Sequence, residues 1–366
     1  MVNSKSNNSR LLSLDALRGF DMFWIMGGEL IVQGFALATG WHWADSLATQ
    51  TKHAAWNGFT FYDLIFPLFI FIAGVSMPFS IWKRKESGDN LKNVYKHLVI
   101  RTLILIGLGI LYNRAHWLME DYIRFASVLA RIGLSTFFAA LIVLNFSKKW
   151  QYIWFGIILL SYWLIMAWWG DYSREGSLNS WIDLHFMPGN ITLEKGYLDP
   201  EGLLSTFPSI ATALLGVICG HFLRDERTNF TPLKKGITLF IASLVLLFLG
   251  WLWDFIFPIN KKLWTSSFVL FAGGWSVLLM SVFYLIIDVW KYTKWTFFFT
   301  VIGVNSIAAY LFPSFFAIKH IQSFIFNGAN QFLLENWQPF FYGITYTLLC
   351  WLILYVMNKN KIYIKI

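Results

Sequence analysis

The chain has 366 residues, of which 57% are hydrophobic, 19% aromatic and only 13% charged, with a net charge of +9. A soluble domain of this size carries roughly twice the charge, so the composition excludes an ordinary water-soluble enzyme and points to a protein dissolved in lipid. The positive balance needs no nucleic-acid partner, because basic loops on the cytoplasmic side of a membrane account for it.

In chain order, Met1 to Arg10 is polar and lacks an apolar core with a small-residue cleavage site. No cleaved signal peptide is expected, and the segment reads as a cytoplasmic tail. Ten apolar segments follow, over 16–38, 59–82, 98–113, 123–146, 151–169, 202–223, 236–257, 264–287, 296–318 and 338–357. Crossing a hydrocarbon core of about 30 Å takes about 20 residues, which most of these supply. The third is short and the fourth contains Arg131. The expected fold is all-α: a polytopic membrane protein of about ten transmembrane helices, organised as one domain over 1–366 without repeats. Cys219 and Cys350 both lie in apolar runs, so neither a disulfide framework nor a metal site is expected.

Lys and Arg set the orientation. With the N-terminus inside, the inner loops hold Lys83, Arg84, Lys85, Lys92, Lys96, Lys148, Lys149, Lys234 and Lys235, while the longest outer loop, 170–201, leans acidic. An even number of spans returns the C-terminus to the cytoplasm. His53 then faces outward.

The segment opening the first span, Leu14-Asp15-Ala16-Leu17-Arg18-Gly19, places Asp15 to cap or start a helix. Arg18 can pair with Asp15 or Asp21, or meet the phosphates of a cytoplasmic acyl donor. Glu29 falls about 13 residues into that span, about 20 Å along at 1.5 Å per residue, at a depth similar to that of Asp63 in the second span. Just before the second span lies His53-Ala54-Ala55-Trp56-Asn57-Gly58. A carboxylate in hydrocarbon costs about 2.5–3.5 kcal/mol on insertion scales, so intramembrane acids mark function by default, and histidine moves protons near neutral pH. The bland alternatives are a Glu29 that caps or pairs structurally, a His53 that only sits at the interface, and an Asp63 that orients its neighbours.

The basic stretch from Lys83 to Arg101 suits anionic lipid or a donor's phosphates, with no Walker or Rossmann spacing. Arg18, Arg84, Arg101 and Arg131 are the candidate donor-binding cations. Further on, Asp199-Pro200-Glu201-Gly202 shapes a turn whose acids either cap a helix or hold an ammonium group. Asp254 ends the seventh span, and Lys261 and Trp264 follow it in a polar stretch that suits a sugar, although Trp264 fits an interfacial belt equally well. Asn305-Ser306, midway along the ninth span, reads as helix–helix glue or as cavity lining.

Together these residues resemble the heparan-α-glucosaminide N-acetyltransferase family and its bacterial relatives, from Leu12 to about Phe315. The specific block is His53 to Thr60 with Asp63, Phe66-Pro67, Phe69 and Gly74. Supporting blocks are Leu129 to Ile132, Asp199 to Leu203, Pro208 to Ile210, Asn260 to Ser267 and Asn305 to Ile307. The resemblance implies that His53 is the active-site histidine for acetyl transfer from cytoplasmic acetyl-CoA to a glucosamine amine across the membrane. It also implies a multi-pass protein of a bacterial inner membrane. The family's lysosomal members have an asparagine where this chain has Glu29, so that residue's role does not carry over directly.

The reaction expected from these residues uses His53 as general base or acyl-carrying nucleophile, with Glu29 or Asp63 orienting it and Asn57 as oxyanion donor. Partners are then an amino sugar, acetyl-CoA and membrane lipid, with homodimerisation open. Two other readings stand beside it. One is an amino-sugar transporter using Glu29, Asp63 and His53 as a proton relay, which discontinuous helices would favour although the sequence shows none. The other is a polysaccharide O-acyltransferase, whose motif the Leu14–Gly19 segment also resembles.

Overall fold

The computed structural model describes residues 11–86, 88, 90–116, 123–191, 193–225 and 230–364, with the backbone alone at 82–86 and 114–116. The polar tail 1–10 and the side chain of Arg84 lie outside what is described. Among the described residues the regular structure is helical: α1 Leu12–Thr39, α2 His42–Gln50, α3 Phe61–Glu86, α4 Leu91–His116, α5 Val128–Asn145, α6 Lys148–Trp169, α7 Leu178–Phe186, α8 Leu203–Arg224, α9 Pro232–Asp254, α10 Ser266–Val289, α11 Thr296–Gly303, α12 Ser306–Phe315, α13 Ile318–Asn330 and α14 Gln338–Lys359. Nine spans among them are long and apolar enough to cross a membrane, and α11 with α12 makes a bent tenth. The chain is a multi-pass membrane protein.

Burial sorts the helices into a centre and a lipid-facing rim. The apolar windows of α3 and α8 are 72% and 78% buried, whereas those of α4, α6 and α9 are each 22% buried. Lipid tails give helices no hydrophobic reason to associate, so close packing of small residues holds the centre together. A methyl group on Gly74 of α3 would overlap the Ala213 carbonyl oxygen of α8, and one on Gly216 would overlap the Phe71 carbonyl oxygen. The α1–α11 contact is built the same way, with Gly19 against the Phe299 carbonyl and Gly303 against that of Asp15.

Several boundaries differ from the sequence reading, each for a local reason. Helix α1 begins at Leu12 with Leu11 as its N-cap, which puts Asp15 inside the first turn rather than at the cap. It widens into a π-turn at Trp24–Gly28, where Gly27 has a φ of 147°. That turn is a conformation suited to glycine and it re-aims the chain just before Glu29. Helix α4 starts seven residues before the expected 98, because Lys92 and Lys96 extend it beyond the apolar run. Helix α5 starts at Val128, where Ser127 Oγ accepts from Ala130 N at 3.0 Å. The residues before it are extended, and Arg124 bridges to Gly189.

The ninth expected span is broken. Helices α11 and α12 meet at 71° around Val304-Asn305. Asn305 does not glue neighbouring helices mid-span: its Nδ2 donates to the Ile362 carbonyl at 3.0 Å and its Oδ1 accepts from Ile364 N at 3.1 Å. The break is thereby satisfied by the chain's final segment. The sequence showed no discontinuous helix because both halves are apolar and the join carries no proline.

Candidate active site

The loop carrying His53 is held from three sides. Gly58, at φ 107°, donates its N–H to the Ile259 carbonyl at 2.8 Å. Asn57 Oδ1 accepts from Asn260 Nδ2 at 3.0 Å, and Lys262 Nζ donates to the Ala55 carbonyl at 2.8 Å. Trp56 donates through Nε1 to the Tyr172 carbonyl at 3.0 Å, while the Arg174 guanidinium lies 5.1 Å over its ring. The Glu194 carboxylate forms ion pairs with Arg174 at 2.8 Å and Lys262 at 2.7 Å, tying the 170–201 loop to the same lip. Each piece of the motif therefore has a structural duty, and the outcome is a fixed position for one imidazole.

His53 Nδ1 lies 2.7 Å from Asp63 Oδ1. Asp63 is buried, and its Oδ2 accepts from Ala54 N at 3.1 Å and Thr60 N at 3.2 Å. A carboxylate so supplied with N–H donors is an acceptor, so the Nδ1 proton belongs to the His53–Asp63 bond and Nε2 carries the lone pair. The ring itself is half exposed, at 49%. Lys261 Nζ stands 3.1 Å from Nδ1, 3.4 Å from Nε2 and 3.5 Å from Asp63 Oδ1. Burial pulls the Lys261 ammonium below its ordinary value, against the pull of Asp63. Tyr62 packs on the imidazole with ring centroids 4.9 Å apart. Tyr62 directly precedes Asp63 yet carries no mark of this contact in the sequence, and Glu29 is half-buried and is not among the residues lining either cavity described below.

Below the imidazole is a cavity of about 190 Å³ lined by His53, Lys261, Glu201, Tyr62 and Tyr310 together with apolar side chains. A second cavity of about 500 Å³ opens at the other end of the bundle, lined by Arg18, Ser76, Ser80, His97, Arg101 and Thr136. Arg18 bonds Asp15 at 3.1 Å and Ser76 at 3.0 Å, and Arg101 donates to Thr136 at 3.3 Å. Phe69, Leu129, Ile132, Ser306 and Ile307 line both cavities. Those five residues form a common waist, with Ser306 at the first turn of α12 after the helix break. Along α3 the lining runs from Tyr62 to Ile81, about 28 Å at 1.5 Å per residue, which matches a hydrocarbon core of about 30 Å.

Other expected site residues fall elsewhere. Asp199 is buried and its carboxylate is occupied by Arg124, Nε to Oδ2 at 2.7 Å and Nη2 to Oδ1 at 2.6 Å. Glu201 accepts from the same Nη2 at 2.5 Å, yet still lines the His53 cavity. Burial opposes the Arg124 charge, but the two carboxylates outweigh it and raise the guanidinium above its ordinary value. Asp254 is exposed, accepts from Ile259 N at 2.6 Å, and is not among the lining residues of either cavity. Trp264 belongs neither to an interfacial belt nor to a sugar site. It is completely buried, donates to Thr212 Oγ1 at 3.1 Å and carries the Arg131 guanidinium 4.9 Å over its ring. Arg131, expected among the donor-binding cations, is buried there with bonds to Ser205 and Gly202 and lines neither cavity. Asn57, the expected oxyanion donor, lies on the exposed lip and outside the cavity lining.

The fold and this site define a class: a multi-pass helical membrane protein in which an imidazole–carboxylate pair lines one of two cavities that share a wall. Residues 10–176 match a family described as "Domain of unknown function (DUF5009)". The chain is 27% identical to the heparan-alpha-glucosaminide N-acetyltransferase of Homo sapiens, over 98% of this chain and 60% of the human protein. It is likewise 27% identical to the Mus musculus enzyme of the same name, over 99% of this chain and 61% of that protein. The resemblance read from the His53 motif therefore extends along nearly the whole chain, which spans about 60% of the length of these relatives.

Proposed function

We propose that this protein is a membrane N-acetyltransferase that moves an acetyl group from acetyl-CoA, entering at the Arg18 end, to the amine of an amino sugar at the His53 end. The observation that carries this reading is the pair of cavities meeting at the Phe69–Ile307 waist, with cationic side chains at one mouth and the His53–Asp63 pair at the other. Arg18, Arg101 and His97 suit the phosphates of the donor, and the apolar waist suits a slender pantetheine arm. The bias of Lys and Arg supports a cytoplasmic Arg18 end, with both termini on that side and the His53 lip outside, in a bacterial inner membrane.

In this reaction the sugar ammonium sheds one proton to outer water and enters as a free amine. Its nitrogen bonds to the thioester carbonyl carbon while His53 Nε2 takes its second proton. The C–S bond breaks, the thiolate receives that proton, and the products are the amide and the free thiol. Asp63 keeps the ring in the tautomer that leaves Nε2 basic and stabilises the imidazolium that forms. Lipid surrounds the rim helices, and Glu201 at the cavity wall offers a carboxylate to the incoming amine.

The test is direct. Purified protein is incubated with acetyl-CoA and a panel of amino sugars, and the products are weighed. N-acetylated sugar from the wild type, absent with a folded His53→Ala variant, supports the reading; wild-type transfer retained by that variant overturns the assignment of His53. An ester product would instead indicate a polysaccharide O-acyltransferase.

The broken α11–α12 span favours a second reading, because discontinuous helices at mid-membrane are typical of transporters. Uptake of labelled glucosamine into proteoliposomes without acetyl-CoA is the result that would select it.

A further inference from the structure

Acyl transfer needs a donor for the oxyanion as well as a base, and the cavity wall holds few groups able to act as one. Asn57 faces Asn260 across the lip. Tyr62 packs its ring on the imidazole at 4.9 Å and Tyr310 stacks on Tyr112 at 4.7 Å, and neither carries a charge. Lys261 is different in position and in chemistry. It lines the same cavity as His53, its side chain is 18% exposed, and its Nζ stands 3.4 Å from Nε2. Nδ1 cannot accept from Lys261 while its own proton is held by Asp63, so the 3.1 Å approach at that atom is proximity and not a hydrogen bond. The 3.5 Å separation from Asp63 Oδ1 is likewise an ion pair too long to consume a proton. The ammonium therefore has donors to spare beside the reacting nitrogen.

We propose that Lys261 is the oxyanion-stabilising cation of the transfer, an inference that rests on the acetyltransferase reading above. A carbonyl carbon under attack beside Nε2 places its oxygen within hydrogen-bond reach of Nζ. As the amine bonds to that carbon, the C=O pair moves onto oxygen and is met by the Lys261 ammonium. When the C–S bond breaks the pair returns, and the ammonium keeps all its protons throughout. Such a donor acts on the transition state more than on the ground state, and in a site shielded from water it counts for more than on a surface. Its charge has a second use. It keeps the Asp63 carboxylate paired during the interval in which the imidazole proton count changes.

The test compares wild type, Lys261→Met, Lys261→Ala and Lys261→Arg in the sugar N-acetylation assay, counting the sugar product by mass. The expected result for Lys261→Met is a fall in kcat of about 10²–10³-fold with KM for acetyl-CoA within about threefold of wild type. Lys261→Arg recovers part of the rate. Added ethylammonium restores sugar acetylation to Lys261→Ala in a concentration-dependent way, and ethanol does not. A residue that merely shaped the lip would show no such rescue, and thermal unfolding checks that each variant is folded. Wild-type kcat in Lys261→Met, or an acetyl group on Lys261 itself during turnover, overturns the proposal. An active wild type with an equally active Lys261→Met ends this inference alone, whereas a wild type inert toward every amino sugar ends the transferase reading and this inference with it.

Discussion

His53 and Asp63 are ten residues apart and meet at 2.7 Å because the chain between them turns back at Gly58 and starts helix α3 at Phe61. The carboxylate is thereby buried at the first turn of α3, one of the two central helices, while its imidazole partner remains open to the lip. One oxygen of Asp63 is used by the backbone, and the other is left for the ring.

Replacing Asp63 by Asn keeps the size and some of the hydrogen bonds but removes the charge that fixes the Nδ1 proton. Transfer is expected to fall about 10²–10⁴-fold, with a smaller loss of thermal stability, since an amide oxygen can still accept from Ala54 N or Thr60 N. Parallel assays of sugar acetylation and detergent-phase unfolding measure both. Unchanged turnover in a folded Asp63→Asn protein contradicts the orienting role.

Arg124 pairs with Asp199 and Glu201 together, and all three side chains are largely removed from solvent. Removing the guanidinium strands two acids, so Arg124→Met is expected to destabilise the protein by about 3–5 kcal/mol. The double variant with Asp199→Asn should recover part of that loss. Chemical unfolding of the four members of the cycle reads the coupling, and additive losses would show that the fork contributes nothing as a pair.

The waist offers a way to separate donor binding from transfer. Ile307→Trp puts a ring where both cavities narrow, and it is expected to abolish acetylation while donor affinity at the Arg18 end changes little. Calorimetry with coenzyme A and the product assay, run on the same preparation, give the two readouts. Full activity in Ile307→Trp would mean that the acyl group does not pass there.

Asp183 gives a pH dependence with a definite sign. Burial raises its carboxyl to about 6 from an ordinary 3.8, although Leu203 N and Asp199 N donate to it. Between those values the folded protein holds the proton that the unfolded chain has lost, so stability contributed by this group falls as pH rises from about 4 to 6 and is flat above. The expected change is on the order of 2–3 kcal/mol. Asp183→Asn should flatten that slope in melting temperature against pH, and an unchanged slope would assign it to other groups.

Much of this was legible in the sequence, and the exceptions share a cause. Apolar length finds nearly every span, because each reflects only the hydrocarbon it crosses. The break at Asn305 leaves no trace of that kind, since its partners, Ile362 and Ile364, lie at the far end of the chain. The same limit applied to polar residues. His53 and Asp63 sit in one motif and read as a unit, whereas Arg124 with Asp199, or Arg131 with Trp264, are joined only by folding. Trp264 shows the hazard of composition: a tryptophan beside a membrane boundary looks interfacial, and here a tight loop with φ 54° turns it into the core.

The proposed reaction has an acetyl group cross the bundle from the Arg18 cavity to His53. It is tested most directly in sealed proteoliposomes of known orientation, with labelled acetyl-CoA confined to the Arg18 side and glucosamine to the His53 side. The expected result is labelled N-acetylglucosamine on the His53 side alone, coenzyme A left on the other, and neither with His53→Ala. Product formed only when both substrates share one side would contradict it.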